Sequence, residues 1–310
     1  MLDASFFSKL RDKFNYDDKT MKALYMIVPA LIEYYGKDYE EIILSSIYDC
    51  EIIPCNSHDT ISKVLNKHKL TPLVGGTMVS DVDLKRSESV YCPNVKVSYD
   101  KDSNKYNIDK IDRVIITSHT YNYDSLKGIE ILTHALCHLV KSYNNEFEIE
   151  ENVLNIRNGI GYEKRKIIYG DDISLELMEE YGKGFEEGLT LYDTEKIVSL
   201  ICKDNYIIYD FNSIYTVAYI LKDRFKLKDE INEYELAGDS SSFRNKYGDD
   251  LVDDIGRLCD ECLINENEMF LAFSREDKDK IAEAINKKMS DDVYDKLISF
   301  LYKSKQVVRN

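Results

Sequence analysis

Residues 126–142 read Leu-Lys-Gly-Ile-Glu-Ile-Leu-Thr-His-Ala-Leu-Cys-His-Leu-Val-Lys-Ser, and we predict one helix here, capped by Asp124 or Ser125. His134 and His138 are four residues apart, so they share one face of that helix and their imidazoles can converge on a single tetrahedral ion. Five histidines placed at random in this chain would include such a spacing only ~6% of the time. The pair therefore suggests zinc, with a hydrogen-bonded pair of core histidines as the alternative.

The sequence before this helix predicts two helices and then strands. Apolar residues recur at helical spacing over residues 21–48, interrupted by Pro29 and Gly36. Three later segments are rich in β-branched and aromatic residues and are separated by polar turn residues. They predict a small antiparallel sheet from residues 90–99, 105–108 and 113–118.

The sequence after this helix is predicted to be mainly helical. Residues 153–162 indicate a strand with a glycine break, residues 173–180 a short helix, and Lys183 the start of a longer one. From residue 196 to the end, helical spacing dominates, with a loop at residues 238–242. We predict an α+β fold with a mainly helical region at 1–84, a metal-binding core at 85–195 and a helical bundle at 196–310 that completes the catalytic domain.

The net charge of the chain argues against two classes of partner, nucleic acids and anionic membranes. The chain has 57 acidic and 41 basic residues, a formal net charge of −16, which would repel nucleic-acid phosphates and anionic membranes. We expect neither partner.

No apolar run has the length of a membrane span, and residues 1–20 lack the features of a signal peptide, so we expect a cytoplasmic protein unless a leader has been removed. The amino-acid composition, with many Lys, Asn, Ile and Tyr residues and no Trp, resembles that of proteins from AT-rich bacterial genomes.

The seven cysteines are scattered along the chain, so we expect reduced thiols. Cys259 and Cys262 form a single CxxC motif. Without a second such motif, two thiols on an amphipathic helix are the simpler interpretation, and a redox pair is the alternative.

The segment Ile131–Val140 resembles the active-site helix of zinc metallopeptidases of the zincin class, in which His-Glu-x-x-His follows an apolar turn. The resemblance covers about residues 85 to 195. It implies a zincin-like catalytic domain, a bound zinc ion, and a peptide or protein substrate that lies extended along the edge strand before the helix. Residues 113–118 stand in the corresponding order in this chain.

The third zinc ligand implied by the resemblance is Glu187. The segment Phe185-Glu-Glu-Gly188 is similar to the signature of the gluzincin group, the thermolysin-like zincins, where a glutamate on a second helix completes the site. Catalytic zinc keeps three protein ligands and one open position. Glu186, Glu179 and Glu180 are alternative ligands, and helix-dipole stabilisation is the alternative role for the glutamates at 186 and 187.

Ala135 stands where these enzymes have the glutamate that accepts a proton from water and delivers it to the leaving amine. Alanine can do neither, although zinc ligation does not need this residue. The resemblance thus implies a zinc metallopeptidase that is inactive in this form, with a zinc-binding pseudoenzyme or peptide-binding regulator as the alternative. A metal-free interaction protein with both histidines facing the core is a third hypothesis. We favour an engineered Glu→Ala change over natural loss, because the helix otherwise retains what zinc needs.

Three further hypotheses concern residues around the proposed metal site. Gluzincins use a Tyr or His beyond the third ligand to stabilise the oxyanion, which makes Tyr215 the candidate among Tyr192, Tyr215 and Tyr219, with helix packing as its alternative role. Asp193 is a candidate for orienting a histidine ligand, or else an exposed helix carboxylate. His119 is a candidate for substrate contact, or else a loop residue like His58 and His68. Sequence patterns do not predict the substrate or the oligomeric state.

Overall fold

The computed structural model describes residues 4–55, 60–68, 89–118, 123–170, 173–206, 208, 213–224, 226–250, 252–253, 255–257 and 259–260. The fold is mixed α+β. Its helices are α1 (Ala4–Phe14), α2 (Asp18–Tyr35), α3 (Glu40–Tyr48), α4 (Ile61–Lys67), α5 (Leu126–Ser142), α6 (Lys183–Cys202), α7 (Ser213–Tyr219), α8 (Lys228–Ala237) and α9 (Ser241–Tyr247). Its strands are β1 (Cys50–Pro54), β2 (Ser89–Asp100), β3 (Lys105–Thr117), β4 (Glu146–Glu150), β5 (Val153–Asn158), β6 (Gly161–Ile168) and β7 (Ser174–Tyr181).

Two compact units make up the chain. The first contains Met1–Ile156, Glu163–Glu179 and Asp193–Ile207, and the second contains Arg157–Tyr162, Glu180–Tyr192 and Ile208–Asn310. Helix α6 is continuous, and it belongs to the second unit as far as Tyr192 and to the first unit from Asp193 onwards. None of the helices in the described ranges is both long enough and apolar enough to cross a membrane.

The first sheet has the strand order β1-β3-β2. Strand β2 pairs antiparallel with β3, whereas β1 pairs parallel with it, so the sheet is mixed where we predicted an antiparallel one. β3 continues from Lys105 to Thr117, which joins two segments that we predicted separately. Because β3 is paired on both sides from Arg113 to Thr117, the prediction that this segment is an edge strand is wrong.

Helix α5 packs on the first sheet and forms the centre of the first unit. It contacts β2, β3, α2 and α3. It begins as predicted, because the Ser125 side chain caps it by accepting a hydrogen bond from the Gly128 N–H at 3.1 Å. The helical prediction for residues 21–48 is also confirmed, but α2 runs through Pro29 and ends at Gly36. Burial of the apolar residues around Pro29 offsets the lost backbone hydrogen bond.

The second sheet has the order β4-β5-β6-β7, and our prediction of a helix at residues 173–180 is wrong. Ile173, Leu175 and Leu177 alternate with polar residues, which is the period of a strand. Ile173 and Leu175 pack against a core cluster with Leu154 and Ile167. This tertiary contact outweighs the helix propensity of the Leu, Glu and Met residues.

The core of the second unit joins α6 to α7, α8 and the residues after α9. Its buried members include Phe185, Leu189, Ile214, Leu221 and Ile231. The predicted helices and the loop near residue 240 are confirmed as far as residue 260, and the remainder of the predicted bundle lies outside the described residues. Six cysteines are free thiols, as expected, and Cys262 lies outside the described residues.

Gly188 allows α7 to approach α6 closely. A Cβ atom at Gly188 would lie 2.4 Å from the carbonyl oxygen of Ile214, a distance that real Cβ atoms do not adopt. Gly184, one turn earlier, is similarly crowded, because a Cβ there would lie 2.1 Å from the carbonyl oxygen of Cys259. Gly184 and Gly188, which lie on either side of Glu186 and Glu187, therefore serve packing within the second unit.

We predict that Gly188→Ala destabilises the protein. Alanine favours a helix over glycine by about 1 kcal/mol, but the clash with Ile214 requires α7 to move, and such overpacking costs roughly 1–3 kcal/mol. The free energy of unfolding in urea should therefore fall. Lys9→Ala, at an exposed position of α1, should change it by less than about 0.5 kcal/mol. A more stable Gly188→Ala variant would contradict the close approach.

Candidate metal centre

Between Gly128 and Ser142, His134 and His138 are the only residues of α5 that are not fully buried. Every other residue of α5 from Gly128 to Ser142 is buried, and the two histidine side chains are half-buried. An amphipathic surface helix would instead have a broad polar face. In this span, the two histidines are therefore the only polar side chains of α5 that are partly exposed.

The two imidazoles point at each other. Their Nε2 atoms lie 3.0 Å apart, and their ring planes are inclined by 80° with centroids separated by 4.7 Å. Two nitrogen ligands of a tetrahedral zinc ion, each at 2.0–2.1 Å from the metal, lie about 3.3 Å apart. The pair has nearly the spacing that a shared ion requires.

Glu187 is the carboxylate that joins the pair. Ligand atoms of His134, His138 and Glu187 all lie within 4.8 Å of one another, and all three side chains are half-buried. Among the described residues, this is the group of His, Cys, Asp and Glu side chains that can hold a metal ion. Glu187 is on α6, and six residues further along this continuous helix Asp193 forms an ion pair with Lys141 of α5.

Glu186 faces a different environment from its neighbour. Its side chain is buried in the second unit, with its Oε1 atom close to Gly159. A Cβ atom added at Gly159 would lie only 3.1 Å from this oxygen. Glu179 and Glu180 are on β7, where both are exposed, and Glu179 forms an ion pair with Lys164 at 2.9 Å. The alternative ligands are therefore not brought to the histidines.

The donor set suits zinc. Two imidazole nitrogens and one carboxylate oxygen are a ligand combination of catalytic zinc sites, and the partial exposure of all three side chains leaves room for a fourth ligand. Cys137, between the histidines in sequence, is fully buried, and burial raises the pKa of its thiol to about 12. Its thiol is not part of the group of side chains that can hold a metal ion.

The other residues singled out from the sequence are Ala135, Tyr215 and three further histidines, and none of them is part of the group of described residues that can hold a metal ion. Ala135 is buried in α5 at 1% exposure. Tyr215 is 6% exposed and packs against Tyr192 in the core of the second unit, with ring centroids 5.9 Å apart. This contact agrees with helix packing, the alternative role that we considered for Tyr215. His119 and His58 lie outside the described residues, and His68 is exposed.

Asp193 is not the exposed carboxylate that we considered, because it is fully buried. It accepts hydrogen bonds from the hydroxyls of Tyr34 and Tyr35, and it forms an ion pair with Lys141, one turn beyond His138. We did not predict this group. The sequence signal was a lysine within the apolar helix, which needs a partner if that face is buried.

Glu130 was also not predicted. It lies one turn before His134, is 8% exposed, and accepts hydrogen bonds from Tyr206 and Lys127. The two buried charged side chains of α5, Glu130 and Lys141, thus flank the histidine pair along the helix and are both satisfied by partners in the first unit.

Comparisons with known proteins give no further guide to the site. No protein-family model, curated protein or solved structure matched the chain.

We predict that the protein binds about one zinc ion per chain and that replacing both histidines with alanine abolishes this binding. The reason is that the two imidazoles supply two of the three ligands. Metal analysis after equilibration with zinc and gel filtration measures the stoichiometry. His68→Ala, which removes an exposed histidine, is the control and should retain the metal. Full occupancy in the double-histidine variant would refute the site.

We predict that Glu187→Gln weakens zinc binding and that Glu186→Gln does not. Loss of Glu187 should cost at least the roughly tenfold by which even an outer-shell change weakens metal binding. Glu186 is the matched control, because it is the same residue type at the next position but lies beside Gly159. Zinc affinity is measured by competition with a chromogenic chelator. The opposite ranking of the two variants would reverse the choice of ligand.

Proposed function

We propose that the chain is a zinc metallopeptidase of the zincin type that is catalytically disabled, as it stands, by alanine at position 135. The observation that carries this proposal is the convergence of His134, His138 and Glu187. Two histidines on one helix and a glutamate on a later helix form the ligand set of the gluzincin group that the sequence resembles. The mixed α+β fold is compatible with a zincin-like domain.

A zinc ion bound by these residues would polarise a carbonyl group and lower the pKa of water. The contribution of the chain is to hold two neutral imidazoles and one carboxylate in a fixed arrangement, with partial access for a substrate. Burial of the other residues of α5 from Gly128 to Ser142 supports this role, because a helix packed in the core holds its side chains in place.

The proposed substrate is an extended peptide or protein segment, and strand β2 is the candidate to hold it. Within the described residues, β2 is an outer strand of the first sheet, and it packs against α5. The Ser89 hydroxyl, at the start of β2, lies 3.4 Å from the carbonyl oxygen of Ile131 on α5. A peptide added to the outer edge of β2 by main-chain hydrogen bonds would run near the histidine helix.

Ala135 removes the proton transfer that peptide hydrolysis needs. The methyl group at this position can neither accept a proton nor deliver one to the leaving amine. Position 135 is also not one of the three ligands, so metal binding and proton transfer depend on different residues. The chain as written is therefore proposed to bind zinc and peptide without cleaving the peptide.

A zinc-binding pseudoenzyme or peptide-binding regulator is the second candidate. It is favoured by the burial of Ala135, which packs as a core residue of α5. In that case the protein would use the same metal site and strand edge for recognition alone.

We predict that Ala135→Glu creates peptidase activity that a chelator abolishes. A positioned general acid–base group contributes roughly 10²- to 10⁴-fold to a rate, and here one carboxylate would serve twice in each cycle. Ala135→Gln is the matched control, because it adds the same volume at a buried position but no proton acceptor. Cleavage is measured by mass spectrometry on a diverse peptide library and on the protein itself.

The comparison of these two variants separates the candidate functions. Circular dichroism and zinc content should be equal for Ala135→Glu and Ala135→Gln, so that any difference in cleavage reports the carboxylate. A folded, zinc-loaded Ala135→Glu variant that cleaves nothing across the library would favour the pseudoenzyme over the disabled peptidase.

A further inference from the structure

Resting on the proposed zinc site, we propose that Asp193, Lys141, Tyr34 and Tyr35 are positioning residues that hold Glu187 in register with His134 and His138. These four residues are called the Asp193 network below. They touch neither the proposed metal nor a substrate. They act by fixing α6, which carries one ligand, against α5, which carries two.

The Asp193 network joins α2 and α5 to one carboxylate on the part of α6 that belongs to the first unit. Asp193 accepts from the hydroxyl groups of Tyr34 at 2.5 Å and Tyr35 at 3.1 Å, both at the end of α2. The Lys141 Nζ atom, from α5, lies 2.8 Å from the same carboxylate. The side chain of Lys141 is 3% exposed and that of Asp193 is 0% exposed. All of these contacts are therefore made away from water, where hydrogen bonds are strong and their geometry is well defined.

The position of the Asp193 network along α5 and α6 allows it to set the register of Glu187 relative to the two histidines. Lys141 follows His138 by three residues and His134 by seven, while Asp193 follows Glu187 by six. At a rise of 1.5 Å per residue, the network lies about 5–10 Å beyond the ligands on both helices. Displacing Asp193 by one residue along α6 would therefore move Glu187 by about 1.5 Å, which is comparable to a metal–ligand bond length.

Apolar packing alone would set this register less sharply. Apolar contacts have no direction, whereas a carboxylate with three donors restricts both the slide and the rotation of α6. Buried ionic groups that specify register are known in coiled coils, and the same role is proposed here.

The second unit supplies a matched control. Lys222 and Glu235 form a buried ion pair at 3.0 Å, both side chains are 0% exposed, and the Asn232 side chain accepts from Lys222 at 3.0 Å. Lys222 lies in the π-helical turn at Ile220–Arg224, and Glu235 is on α8. This pair has the chemistry of Lys141 and Asp193, but neither of its residues is on α5 or α6.

The first test compares zinc affinities. Lys141→Met combined with Asp193→Asn removes the charge pair without leaving one buried charge alone, and it should weaken zinc binding roughly 10- to 100-fold, as loss of outer-shell partners does. Lys222→Met combined with Glu235→Gln should change the affinity by less than about twofold, since it leaves every ligand and the Asp193 network intact. Zinc affinity is measured by chelator competition, and folding by circular dichroism and thermal unfolding.

The second test asks whether the Asp193 network acts through Glu187. In the parent chain, Glu187→Gln should weaken zinc binding. In the Lys141→Met/Asp193→Asn variant, the same change should have little further effect, because Glu187 is already displaced. A purely structural network would instead give additive losses. If the double variant does not fold, Tyr34→Phe combined with Tyr35→Phe is used in its place. Tyr16→Phe is the control for this variant, because Tyr16 is also a buried tyrosine that forms a hydrogen bond through its hydroxyl.

The outcomes separate the two proposals. If the parent binds zinc through its histidines and a folded network variant binds it equally well, the positioning role is wrong and the metal site stands. Additive losses in the cycle with Glu187→Gln also overturn the positioning role. If the parent binds no zinc that depends on His134 and His138, the proposed function and this inference both fail.

Discussion

The buried carboxylate of Asp193 is the constraint on which the first unit depends. A charge at 0% exposure is stable only when it is paired and hydrogen-bonded, and Asp193 receives its partners from α2 and α5. Breaking a buried pair of this kind by removing one partner costs about 3–5 kcal/mol. Any arrangement of α2, α5 and α6 that separates these groups is therefore disfavoured. The requirement selects one packing of the helices, and the packing sets where the histidines face.

Helix α5 meets two requirements that usually conflict. Apart from the two histidines it is buried from Gly128 to Ser142, which favours apolar residues, yet this span carries Glu130, Lys141 and the histidines, which need polar partners. The conflict is resolved by spacing. The charged residues near either end are satisfied by Tyr206 with Lys127 and by Asp193 with the tyrosines of α2, which leaves the histidines between them half-buried. Their Nε2 atoms face each other, 3.0 Å apart, at this half-buried position.

Local sequence signals predicted the parts of the structure that depend on neighbours in the chain. The span of α5, its Ser125 cap, the histidine pair and the start of α6 follow from spacing and capping within a few residues. Strand β7 was missed because Leu, Glu and Met favour helices locally, while its partners lie in other strands. The central place of β3 depends on its parallel pairing with β1, some 60 residues earlier, which no local pattern reports. The Asp193 network likewise joins residues about 160 positions apart.

The segment from Glu186 to Gly188 shows why a short motif can be informative without a matching family. Three consecutive residues meet three separate requirements: Glu186 is buried beside Gly159, Glu187 reaches the histidines, and Gly188 admits the backbone of Ile214. Successive residues on a helix point about 100° apart, so each side chain meets different surroundings. The two glutamates are alike in sequence, and only the surroundings distinguish them. The choice of Glu187 over Glu186 therefore depends on the environment on each side of α6, whereas the glycine is required by the close approach of α7.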